Sequence, residues 1–188
     1  MNRRELLRSI ALLTGASVVG GEFLLSGCKN PAAGKISFSP AVIDLLNEVA
    51  ETIIPTTTTP GAKAANVGSF MKIMVTDCYT KEQQDVFVKG ISEVDHQAKT
   101  QTQKKFMDCS AEERHALLTA LEKEAKRFND ERTDKKAPVH YYTMIKQLTL
   151  WGFFSSKTGM TETLRHAPVP GRYDGNAPYT KGEKAWAE

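Results

Sequence analysis

The sequence predicts an all-α fold: a single irregular bundle of about five helices, followed by an extended C-terminal tail rich in proline and glycine. Three observations predict it. Apolar residues recur at helical spacing in successive stretches, two capping boxes open such stretches, and no strand-like alternation of any length appears. A chain of 188 residues, 40% hydrophobic and 25% charged, suits one ordinary globular domain.

The elements follow in chain order. Ser39-Pro40 gives a cap with proline at the first helical position. Val42, Ile43, Leu45, Leu46, Val49, Ala50, Ile53 and Ile54 then form an apolar stripe that Pro55 ends. TTTTPGAKAANVG reads as a loop, or a loop leading into a short helical turn. Val67, Phe70, Met71, Met74, Val75 and Cys78 make the next stripe. Thr80 and Gln83 form a capping box before Val86, Phe87, Ile91, Val94 and Ala98, a helix that Gly90 weakens without breaking. The polar AKTQTQKK section is expected to be exposed. Ser110 and Glu113 form a second capping box, followed by Leu117, Leu118, Leu121, Ala125 and Phe128. After the charged loop NDERTDKKAP, a last helix is expected from about Val139 to Ser156, with Tyr142, Ile145, Leu148, Thr149 and Phe153 as inward candidates. From about residue 157 the chain has three prolines, four glycines and few aliphatic residues, too little to build a core, so it is expected to lie extended across the helices or another protein.

The first 27 residues read as a secretory signal. A charged start, NRRELLR, precedes an apolar middle interrupted by Gly15, Gly20, Gly21 and Glu22. The adjacent Arg3 and Arg4 resemble a twin-arginine signal, which exports folded proteins. Leu25-Ser26-Gly27-Cys28 resembles a lipobox, in which small residues fit a signal peptidase cleft and the Cys28 thiol accepts a diacylglycerol. A short N-terminal helix packed on the domain is the alternative, and it explains neither the paired arginines nor the small residues before Cys28. Lipid on Cys28 adds about 0.8 kcal/mol of membrane affinity per buried methylene. Residues 28–37 then form a flexible tether, and the domain occupies 38–188. The expected location is the periplasmic side of a bacterial cell envelope. There, Cys78 and Cys109 have two open readings, a disulfide or two buried thiols.

Charge and motifs exclude several function classes. Three of the 25 basic and two of the 22 acidic residues lie in the first 27 positions, so the remainder holds 22 against 20. A net +2 implies no basic face, and nucleic acid is a poor partner. No two of His96, His115, His140 and His166 have helical metal-pair spacing. No cysteine pair, C-x-x-C-H, G-x-G-x-x-G, P-loop or G-x-S-x-G motif is present. His140, beside Tyr141 and Tyr142, is a candidate ligand or base, against a half-buried structural histidine; with His166 it is the only candidate for an enzyme reading. The sequence therefore gives little support for catalysis.

Two stretches exceed what a plain bundle needs. LTLWGFF is apolar around most of a helical turn, so Trp151, Phe153 and Phe154 either fill the core or partly face a partner. PVPGRYDG combines stiff and sharply turning backbone with Arg172, Tyr173 and Asp174, a set suited to directional contacts, or to a local turn in which Arg172 pairs with Asp174.

The runs FSPAVIDLLNEVAETIIPTTTTPGAKAANV, MVTDCYTKEQQDVF, LTLWGFFSSKTGMTETLRHAPVPGRYDG and the closing AW resemble the gluconate 2-dehydrogenase subunit 3 family, from about Phe38 to Trp186. These are the small subunits of membrane-bound, flavin-dependent sugar dehydrogenases. The resemblance implies a non-catalytic accessory subunit that binds a large FAD-containing subunit, stabilises it and supplies its export signal. It implies a haem-bearing cytochrome c as a possible further partner, and no cofactor in this chain. The alternative reading is an independent lipoprotein binding module of the envelope.

Overall fold

A computed structural model describes residues 38–169, 171–172 and 175–187. Arg3, Arg4, Cys28, the tether, Tyr173 and Asp174 lie outside the described residues. Five α-helices form the domain: α1 (Pro40–Ile53), α2 (Val67–Cys78), α3 (Lys81–Thr102), α4 (Ala111–Glu131) and α5 (Tyr141–Phe154). Short 3-10 turns, Ala62–Ala65 and Phe106–Asp108, precede α2 and α4.

The local signals act where the sequence places them. The Ser39 hydroxyl accepts from the Val42 amide at the start of α1. Both capping boxes are formed: Thr80 and Gln83 on α3, Ser110 and Glu113 on α4. The α2–α3 corner has a further fastening. The Gln84 side-chain amide donates to the carbonyls of Val75 (3.0 Å), Thr76 (3.2 Å) and Tyr79 (3.2 Å). It thereby satisfies carbonyls that a helix end leaves without partners.

α1 and α5 sit at the centre of the bundle. α1 packs against α2, α4, α5 and both 3-10 turns, and α5 packs against all four other helices. Leu46, Val49, Val67, Met71, Val75, Phe87, Phe106, Leu117, Ile145, Leu148 and Phe153 are fully buried between them. Phe38 enters this core beside Phe87, with ring centroids 6.3 Å apart.

Polar side chains of α1 join the bundle to its loops. Asn47 Oδ1 accepts from the buried Gly68 amide at 2.7 Å, and its Nδ2 donates to Asn66 Oδ1 at 3.2 Å. Asn66 is the N-cap of α2 but makes no side-chain cap bond itself, so Asn47 supplies the missing acceptor from another helix. Glu48 pairs with Lys63 at 2.7 Å and with Arg114, whose Nε and Nη2 donate to the carbonyls of Phe106 (3.0 Å) and Met107 (2.7 Å). Burial raises the Glu48 pKa, but Lys63 and Arg114 outweigh it and hold the carboxyl below its ordinary range. Glu51 accepts from the Thr56 amide (2.8 Å), the Thr56 hydroxyl (2.7 Å) and the Lys63 amide (2.9 Å), which ties down the TTTTPGAK loop.

α3 runs unbroken through Gly90, as expected, and the glycine has a packing role besides: a Cβ there would sit 2.3 Å from Tyr141, and its absence lets that ring lie against α3. Several other expectations are corrected. Phe128 is 47% exposed rather than inward, because it covers the rim of His140 at 5.5 Å instead of entering the core. Cys78 is exposed at the end of α2, and Cys109 is buried with its thiol near the Thr102 hydroxyl and the Lys105 carbonyl. Both are free, so neither the disulfide nor the pair of buried thiols describes them. The last helix is shorter than expected at both ends.

The tail is more ordered than its composition implies. Gly159–Thr163 forms a wide helical turn, and strands β1 (Arg165–His166) and β2 (Trp186–Ala187) pair in parallel. Strands of two residues are too short to show alternation in a sequence. The Arg165 guanidinium stacks 3.8 Å from the Trp186 ring centre, and Lys184 donates to the Glu162 carbonyl.

Replacing Asn47 with alanine leaves the Gly68 amide buried without an acceptor. We expect a loss of about 1–3 kcal/mol, read as a lower urea midpoint with an unchanged slope.

Candidate partner-binding site

The apolar turn of α5 divides between two environments. Phe153 and Leu148 are fully buried, whereas Trp151 is 57% and Phe154 40% exposed. Phe153 therefore belongs to the core and is not part of an accessible surface. It supports the outer face from below, with its ring 5.1 Å from that of Phe154 at 73°.

The outer face extends onto α2. Phe70 meets Trp151 edge to face at 5.8 Å and 75°. Ile73, one turn further along α2, is 57% exposed, and Leu150 on α5 is 40% exposed. Gly152 makes the junction possible, because a Cβ there would lie 2.6 Å from the Phe70 ring. Phe70, Ile73, Leu150, Trp151 and Phe154 thus form an apolar ridge over the α2–α5 packing seam. Exposed aromatic groups of this kind bury well against another protein and poorly in water.

Sequence reasoning located the α5 half of the ridge and missed Ile73, while it placed Phe70 on an inward stripe. The signal was present in VGSFMKIMV, which is apolar over more than one helical face. Val67, Met71 and Val75 take the inward face, leaving Phe70 and Ile73 on its flank. Arg172 is exposed in the tail, on a different element from the ridge.

The two histidines have separate settings. His140 is the N-cap of α5: its Nδ1 accepts from the Tyr142 amide at 3.3 Å, and its Nε2 faces Glu124 at 3.8 Å. Its own amide donates to Asn129 Oδ1. With Phe128 edge to face on one side and the tilted Tyr141 ring on the other, it acts as a structural acceptor. Histidine is outside the usual capping residues, so nothing in the residue type signals this role. His166 lies exposed in β1, beside Arg165 and Lys184 in an open cleft of about 510 Å³. Among the described residues, no three His, Cys, Asp or Glu side chains converge on a metal-sized site, and no helix is long and apolar enough to cross a membrane.

Residues 40–171 match the family model described as gluconate 2-dehydrogenase subunit 3. The chain belongs to this family. The description is that of one subunit of a dehydrogenase complex. The match covers all five helices, both halves of the ridge and β1, and it stops short of β2 and Trp186, where the resemblance read from the sequence ended. Neither the curated proteins nor the solved structures compared with the chain gave a match.

Two measurements test this geometry. Gly152→Ala forces Phe70 away from the seam and should cost about 1–3 kcal/mol, with a change in tryptophan fluorescence as Trp151 loses its neighbour. His140 gives a pH dependence. Burial lowers its pKa from 6.5, and Glu124 only partly offsets this. The unfolded chain therefore takes up this proton at a higher pH than the folded one. The His140 contribution is complete above 6.5 and is lost as pH falls through 6.5 toward the lowered native value. His140→Asn keeps a capping acceptor without titrating. Between about pH 7.5 and 5.5 the unaltered protein should lose stability more steeply than this variant.

Proposed function

We propose that this chain is a non-catalytic accessory subunit of a periplasmic, flavin-dependent sugar or sugar-acid dehydrogenase. It binds the large FAD-containing subunit, stabilises it and assists its export. A haem-bearing cytochrome c subunit completes the electron path. Cys28 carries a lipid that holds the assembly to a membrane, and Arg3 and Arg4 direct export of the folded complex.

The observation that carries this reading is the apolar ridge of Trp151, Phe154, Phe70 and Ile73, within the span that matches the family. A subunit needs a contact surface, and the ridge has the composition of one. Burying each aromatic side chain against a partner supplies roughly 1.5–3 kcal/mol. Arg172, Tyr173 and Asp174 add polar contacts at a second point. His140 spends its Nδ1 on the Tyr142 amide at the start of α5 and packs against aromatic rings, which favours a helper over an enzyme.

The test is co-expression with a flavin-dependent dehydrogenase large subunit, followed by affinity capture from solubilised membranes. The unaltered chain should retain flavin absorbance on the resin. Trp151→Ala with Phe154→Ala should reduce it by about tenfold or more while leaving the helical circular dichroism unchanged. Arg3→Lys with Arg4→Lys should leave both proteins inside the cell. A flavoprotein that reaches the periplasm beside the signal variant would sink the export role, and undiminished capture by the ridge variant would sink the interface.

A further inference from the structure

Among the described residues, three buried polar side-chain atoms make no hydrogen bond, on Arg132, Tyr141 and Thr163, and only that of Arg132 belongs to a charged group. The Arg132 Nε–H is shielded from solvent and makes no hydrogen bond, although the same guanidinium donates from Nη1 to the Ala137 carbonyl. An unpaired N–H on a charged group is expensive to bury, and such a group usually marks a missing water or ion.

Its surroundings favour an anion. Arg132 lines a cleft of about 270 Å³, together with Lys135 and Lys136 from the loop that follows α4. No carboxylate lines that cleft, and neither lysine is in an ion pair among the described residues. Asp134, the acid nearest in the loop, accepts from the Lys136 amide. Asp130, Glu131 and Asp134 share this stretch with the three cations, but none of them lines the cleft, so the cationic side chains that face it have no carboxylate there.

The lining also holds neutral hydrogen-bonding side chains, Tyr79 and Gln83 at the α2–α3 corner and Gln147 on α5, beside the apolar Ala137, Pro138 and Val139. Gln83 uses its Oε1 for the capping box, which leaves its NH₂ unused by that motif. Met144, buried from below, gives the cleft an apolar wall. The volume lies near the lower limit for small-molecule pockets and suits a compact metabolite rather than a large cofactor.

We propose that this cleft binds a small hydroxylated carboxylate. The carboxylate pairs with Arg132, Lys135 and Lys136. The hydroxyls exchange hydrogen bonds with Tyr79, Gln83 and Gln147. A guanidinium is suited to this task because its planar fork matches a carboxylate, and the unpaired Nε–H is one tine of that fork. The site shares no residue with the α2–α5 ridge, so its test is independent of the subunit assignment.

The test is isothermal titration calorimetry on the full chain in mild detergent at low salt. The probes are gluconate, as a hydroxylated carboxylate, acetate, as a carboxylate without hydroxyls, and glucitol, as a polyol without charge. Gluconate should bind saturably, acetate several-fold more weakly, and glucitol not at all. Raising the salt should weaken gluconate binding. Lys135→Ala with Lys136→Ala changes only exposed side chains, so it should fold normally, and it should weaken binding by about tenfold. Arg132→Lys keeps a charge but removes the fork and should weaken binding by a similar factor. No saturable heat with gluconate, or binding unaltered in both variants, would overturn the site. Equal affinity for acetate and gluconate would overturn the role given to Tyr79, Gln83 and Gln147.

Discussion

The hydrogen bond from the Gly68 amide to Asn47 organises the domain. It is buried, 2.7 Å long, and it joins α1 to the first turn of α2. The approach is close because Gly68 has no side chain; a Cβ would lie 2.6 Å from the Ile43 carbonyl oxygen. Once this contact forms, the start and direction of α2 are set. Those in turn set where α2 meets α5, and so the position of Phe70 against Trp151. A donor buried away from water has to be matched, and only α1 provides the match. The same helix offers Glu48 to Arg114 and Glu51 to the loop before α2. α1 is therefore a core helix whose polar residues Asn47, Glu48 and Glu51 hold three separate segments in register.

The ridge follows from a second constraint. α5 is apolar on almost every side, so a small bundle cannot cover all of it. Its buried face takes Ile145, Leu148, Thr149 and Phe153, and the uncovered face keeps Trp151 and Phe154. In an isolated monomer this arrangement costs solubility. In one component of a complex it is a reserve of surface to be covered by another chain. Family membership and the uncovered face point the same way, although each rests on different residues.

Much of the fold was legible because its signals are local. Ser39-Pro40, Thr80 with Gln83, and Ser110 with Glu113 each satisfy amides within three residues, and each helix starts where these residues stand. The inward positions of α5 were equally readable from spacing. What was not legible depends on contacts between distant segments. Gly90 and Gly152 look like weak points of helices, and only the neighbouring Tyr141 and Phe70 reveal them as fitting points. His140 caps a helix although its residue type rarely does so. Asn47 looks like one polar residue on an apolar stripe until Gly68 is placed beside it. Of the site, Trp151 and Phe154 were readable from an excess of apolar surface. Ile73 was hidden in a stripe wide enough to serve two faces.

The pairing of β1 with β2 has a consequence for the segment between them. Residues 167–185 start and finish at one clasp, held by two backbone hydrogen bonds and by Arg165 lying on Trp186. The entropy of closing such a ring rises only with the logarithm of its length, by about 0.6 kcal/mol for each doubling. Insertions or deletions inside it are therefore cheap, while changes at Arg165 or Trp186 are not. A change in length inside the span therefore costs little as long as its two footings hold.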